Sequence, residues 1–87
     1  MNPDLRIIRA FANARRIEII KKLQTSGSFT VTGLAREIGL SFRSTSKHLQ
    51  RLDNANLLES SRQANAIWYR LRESLPDLAQ AVLNHLR

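Results

Sequence analysis

Cysteine is absent from the sequence, which excludes disulfides, thiolate metal sites and thiol redox sensing. The three glycines, Gly27, Gly33 and Gly39, do not form a loop that could cradle a phosphate. No apolar run approaches the roughly 20 residues that span a bilayer. Met1-Asn2-Pro3-Asp4 lacks the charged-then-apolar layout of a secretory signal, so a cytoplasmic protein is expected. No nucleophile stands at a workable spacing from a base, so an enzyme is not expected. Repeats, low-complexity stretches and linkers are also missing, and the 87 residues read as one domain, 1–87. Acidic residues are few, seven against fourteen Lys+Arg, giving a net charge of +7. An excess of that size favours a polyanionic partner and speeds the encounter with it.

What is present is a regular alternation of apolar stripes and caps. Asn2 caps a first helix with Pro3 at its opening position, and the helix extends to about residue 12. Leu5, Ile8 and Ala12 share one of its faces, with Ile7 and Phe11 alongside. Asn13 caps a second helix from Ala14 to about Gln24, with Ile17, Ile20 and Leu23 as its apolar side. Thr25-Ser26-Gly27-Ser28 reads as a turn. Thr30 then caps a short helix to Ile38 that carries Leu34, Ala35 and Ile38 on its inner face. Gly39 supplies the left-handed residue commonly needed after a helix end, and Ser41 caps the next helix, Phe42 to about Asn54. After Asn56 the period becomes alternating. Leu57–Ser61 and Ala66–Leu71 read as two strands joined by Arg62-Gln63-Ala64-Asn65, with Ile67, Tyr69 and Leu71 on one face. A last helix is expected over about 74–86, opened by a capping box of Ser74 and Asp77.

The order is therefore ααααββα, a mainly α fold with a small β-hairpin (α+β). Its informative part is residues 30–54, a short helix, a Gly39-Leu40 turn and a longer amphipathic helix, which is the form of a helix-turn-helix. In the second helix Thr45, Leu49 and Leu52 oppose Arg43, Ser46, Lys47 and Gln50. Arg and Lys match guanine acceptors, Gln matches adenine and Ser several base edges, so this face suits a major groove. Ser41, Phe42, Ser44 and Arg51 flank it as further contacts, and Phe42 is divided between core packing and a thymine methyl. Thr30 and Thr32, at the start of the preceding helix, cap it or hold phosphate. The hairpin over about 57–71 reads as a wing, with Arg62, Gln63 and Asn65 at its tip for phosphates or a minor groove. A packed or phosphate-facing role suits His48 better than ligation, and a place in the wing-root core suits Trp68 and Tyr69 better than base stacking.

The end helices flank a motif that already has its own core. Leu5 and Ile8 of the first, with Leu75, Leu78, Ala79, Val82, Leu83 and Leu86 of the last, most economically meet a second copy across a two-fold axis. Two recognition helices would then reach major grooves about 34 Å apart, which implies a palindromic site. A winged-helix protein-interaction module, or an architectural binder without sequence choice, remains the alternative.

From Phe11 to Leu71 the sequence resembles the ArsR-type winged helix-turn-helix repressors. FANARRIEIIKKL is similar to their second-helix signature, which usually reads Leu-Ala-Asp/Asn-Pro-Thr-Arg. TVTGLAREIGLSFRSTSKHLQRLDNANLL resembles their helix-turn-helix, and AIWYRL their second wing strand. The resemblance implies a homodimeric repressor on a palindromic operator of a prokaryotic nucleoid, released by an effector that is frequently a metal ion. Ala14 and Arg15 depart from the usual Pro and Thr, and Phe42 and Arg43 stand where small polar residues are common. Arsenic-sensing members carry a cysteine pair where Val31, Thr32 and Gly33 stand. Zinc-sensing members use Asp and His on the last helix, but Asp77 and His85 lie about 12 Å apart along the axis. No cofactor is expected, a metal ion is not expected as effector, and the sequence names no other.

Overall fold

A computed structural model describes residues 2–86. Its elements follow from caps and stripes: α1 (Pro3–Phe11), α2 (Ala14–Ser26), β1 (Ser28–Thr30), α3 (Val31–Ile38), α4 (Phe42–Asn54), β2 (Leu58–Gln63), β3 (Ala66–Leu71) and α5 (Asp77–Leu86). Asn2, Asn13, Thr30 and Ser41 each accept a hydrogen bond from a first-turn amide of the helix that follows. Gly39 has φ 70°, the left-handed conformation that closes α3.

Among the differences from the sequence reading, three concern the sheet and the start of the last helix. The first is β1. Its three residues hold one apolar side chain, Phe29, too few to show a period, so the pairing is decided by tertiary contact. It pairs antiparallel with β3, and the sheet runs β1-β3-β2, so the wing is a three-stranded sheet with β3 at its centre. The second is the start of α5 at Asp77, which leaves no capping box with Ser74. Leu75 precedes Pro76 and is thereby steered away from helical backbone; the Pro76 carbonyl instead accepts from the Gln80 amide. The third is Trp68. Paired with Thr30 and Ser61, it lies on the outer face of the sheet and is 36% exposed rather than part of the wing root. Tyr69 faces inward with Phe29 and packs on the core, whereas Ile67, in the same phase, lies beyond the core's edge and is exposed.

The core is shared by all five helices and the base of the sheet. Ile7, Phe11, Ile19, Ile20, Leu23, Leu34, Ile38, Leu49, Leu52, Leu57 and Leu58 form its bulk. Ala79 is 0% and Leu83 2% exposed in this same core. That corrects their assignment to a dimer interface, because one stripe of α5 is used to close its own domain. On α1 the buried residues are Ile7, Ala10 and Phe11, while Leu5 is 40% and Ile8 55% exposed. This helix therefore has two apolar edges rather than one.

The wing turn carries a local cost. Gln63 pairs with Ala66, leaving Ala64-Asn65 as a two-residue turn with φ 51° and 65°. Positive φ at both positions is what a type I′ turn requires, and alanine tolerates it less well than Asn or Gly. Ala64→Asn is expected to raise stability by about 0.5–1 kcal/mol, visible as a several-degree rise in melting temperature.

Candidate nucleic-acid interface

The α3–turn–α4 unit is held rigid by its own backbone. Thr30 Oγ1 accepts from the Gly33 amide at 3.0 Å, and the Leu40 amide donates to the Ala35 carbonyl at 3.0 Å. Ser41 Oγ accepts from the Ser44 amide at 3.1 Å, and Thr45, fully buried, donates its hydroxyl to the Ser41 carbonyl at 2.8 Å. Thr45, Leu49 and Leu52 point inward, so Arg43, Lys47 and Gln50 are presented outward and are exposed. Ser41, Ser44, Arg51 and Thr32 are exposed as well, while Thr30 and Ser46 are half-buried. Phe42 is 59% exposed and takes no part in the core. Arg62, Gln63 and Asn65 are exposed at the far end of the sheet, where Gln63 Nε2 donates to Ser61 Oγ at 3.2 Å. The structure thus gathers two exposed groups of candidate residues, one on α4 and one at the wing tip.

The charge distribution favours the outward face of α4. Arg15–Glu18 (2.9 Å), Lys22–Glu37 (3.3 Å) and Arg70–Glu59 (2.6 Å) are partly exposed ion pairs. None of them engages Arg43, Lys47 or Arg62, so these cations stay available to an incoming polyanion.

Sequence reasoning did not reveal how α2 braces this unit. Arg15 donates to the Ile38 carbonyl at 3.1 Å and so caps α3 from outside. Arg16 donates through Nε to the Ala10 carbonyl at 2.9 Å and through Nη2 to the Arg9 carbonyl at 3.1 Å, closing the end of α1. Its Nη1 lies 3.4 Å from His48 Nδ1 on α4. A guanidinium only donates, so Nδ1 accepts and the imidazole is neutral. His48 is therefore a packed histidine. Neither cap has a local signature, because each joins residues from different elements.

Burial, and then the neighbouring Arg16 and Arg15, hold His48 below its ordinary imidazole range. The unfolded chain binds that proton more readily, so stability rises with pH through this window. The contribution of neutral His48 is complete above the unfolded value of 6.5 and is lost as pH falls through the lower folded value. Melting temperature is expected to fall more between pH 7 and pH 5 in the wild-type chain than in His48→Gln, measured by thermal denaturation in matched buffers.

Among the described residues no group of three or more His, Asp or Glu side chains could hold an ion. Among them, too, no helix is long and apolar enough to cross a membrane.

Comparison with known proteins agrees with this geometry. Residues 13–60 match the model of a family described as bacterial regulatory protein, arsR family. The chain is 29% identical over 80 residues to the HTH-type transcriptional regulator YgaV of Escherichia coli strain K12, a match covering 92% of this chain and 81% of that one. It superimposes on the crystal structure of NolR from Sinorhizobium fredii with a TM-score of 0.82 and 30% identity, covering 97% of this chain and 80% of that one. A third similarity is to the solution structure of the homodimeric winged helix-turn-helix DNA-binding domain Mb0332 from Mycobacterium bovis. There the TM-score is 0.80 and the identity 29%, over 97% of this chain and 77% of that one.

Proposed function

This chain belongs to the arsR family of bacterial regulatory proteins and is a winged helix-turn-helix transcriptional regulator rather than an enzyme; from that premise we propose that it is a homodimeric repressor that reads a palindromic operator on the bacterial nucleoid. The observation that carries this reading is the outward face of α4. Among the described residues no ion pair engages Arg43 or Lys47, and with Gln50 they are exposed on a helix whose opposite face is locked into the core. In this assignment α4 enters the major groove, the α3 N-terminus with Thr30 and Thr32 meets the backbone, and Arg62, Gln63 and Asn65 reach the phosphates beside the flanking groove. Support for a dimer comes from the exposed apolar edge of α1 and from the homodimeric state of Mb0332.

The test is a selection of bound duplex from a random pool, with affinity then followed across salt concentrations. Enrichment of an inverted repeat with half-sites about one helical turn apart supports the proposal. Recovery of unselected sequences, with binding that collapses in salt, would instead describe an architectural binder. Repression itself is read by placing the selected site over a promoter and measuring transcription with and without the protein.

A further inference from the structure

Phe42, the first residue of α4, is 59% exposed, the highest value for a large apolar side chain among the described residues. It belongs neither to the core nor to the apolar residues packed against it. A single exposed apolar side chain is ordinary on a protein surface. Its position on α4 is what gives this one a role. Phe42, Ser46 and Gln50 follow one another at four-residue intervals and so form one row along the helix, beside Arg43 and Lys47. The backbone that carries Phe42 is fixed, because Ser41 Oγ accepts from the Ser44 amide at 3.1 Å and the Thr45 hydroxyl donates to the Ser41 carbonyl at 2.8 Å. Arg51 and Asn54, at the other end of α4 and roughly 14–18 Å along it, share a cleft with α1, so Phe42 lies apart from the α1 edge proposed for the dimer.

We infer that Phe42 is a specificity-determining residue whose ring seats against the C5-methyl of a thymine in the major groove. The inference rests on the proposed entry of α4 into that groove and adds one base to its reading. In a helix-turn-helix the opening residues of the second helix are those that meet base edges. Among the groups a major groove displays, the thymine methyl is the apolar one, so an exposed aromatic ring can cover it without leaving a polar atom unpaired. The gain comes from moving two apolar surfaces out of water together. Arg43, Lys47 and Gln50 instead exchange hydrogen bonds to water for hydrogen bonds to bases, which yields less per contact than the bond itself is worth. One apolar reader thus stands at the end of a polar row, and each half-site is expected to hold a thymine opposite it.

The test uses the full chain and the selected operator, with each half-site thymine replaced in turn by deoxyuridine in both half-sites. Deoxyuridine pairs as thymine does and lacks only the methyl. Affinity measured by fluorescence anisotropy is expected to fall roughly tenfold at the thymine that Phe42 meets, about the worth of one buried methyl in each of two half-sites. Phe42→Ala should bind the thymine operator more weakly than the wild type and no longer distinguish thymine from deoxyuridine at that position. The ring lies outside the core, so circular dichroism should be preserved in the variant. The deoxyuridine series on the wild-type chain needs no variant at all. Selected half-sites that hold no thymine, a wild type indifferent to every deoxyuridine, or a Phe42→Ala protein that keeps the full loss would each overturn the inference. Failure of the operator reading would appear separately, as a selection that enriches no sequence.

Discussion

Replacing Arg43 and Lys47 together by alanine is expected to weaken binding to the selected operator by about a hundredfold or more, with the fold intact. Each side chain is exposed and contributes nothing to the core, so its loss leaves the Thr45, Leu49 and Leu52 packing untouched. A side chain paired with a base edge is worth about 1–3 kcal/mol of discrimination, and a two-fold complex loses it in both half-sites. The loss should be uneven across sequences: large on the operator, small on a scrambled duplex of equal length. Arg62→Ala provides the contrast. At the wing tip a phosphate contact carries no sequence information, so its removal should weaken all duplexes alike and lower the salt slope by roughly 0.9 per phosphate released. Fluorescence anisotropy with both duplexes at several salt concentrations separates the two behaviours. Equal losses on operator and scrambled duplex for Arg43→Ala/Lys47→Ala would remove α4 from base reading.

Why α4 was legible in advance, and the sheet less so, has a physical explanation. A helix with a cap at Ser41 and an inward stripe of Thr45, Leu49 and Leu52 announces itself locally, because cap and stripe lie within one segment. The left-handed Gly39 is local in the same way. By contrast β1 exists because Phe29 finds Tyr69 forty residues on, and no property of Ser28-Phe29-Thr30 encodes that pairing. The same reason hid the caps that Arg15 and Arg16 place on neighbouring helices. Periodicity also says which residues share a face but not which of two apolar faces turns inward. On α1 the inward face is Ile7, Ala10 and Phe11, and on α5 Ala79 and Leu83 are spent on the domain's own core. Trp68 fell outside the core because its strand alternates and Tyr69 holds the inward position.

The partition on α1 leads to the second large effect. Leu5 and Ile8 are exposed apolar side chains on α1, which packs against α5; Leu78, Val82 and Leu86 of α5, and Leu75 just before it, pack only partly on the core. If this edge is the two-fold interface, Ile8→Glu places a carboxylate on each side of the axis, where burial without a partner is strongly unfavourable. The expected result is a monomer by sedimentation velocity at micromolar concentration. Because Ile8 is 55% exposed within the single chain, far-ultraviolet dichroism should be preserved. Operator affinity should fall by roughly 10²- to 10⁴-fold, since linkage of the two half-sites is lost while each recognition helix remains. Leu83→Ala is the opposing case: with only 2% of it exposed, the change opens a cavity in the domain core and should cost about 2–5 kcal/mol of stability. Its defect would show first as a lower melting temperature, with dimerisation following the folded fraction. An Ile8→Glu protein that stays dimeric and keeps full operator affinity would move the interface away from α1, leaving the half-buried side of α5 to be tested through Val82→Glu.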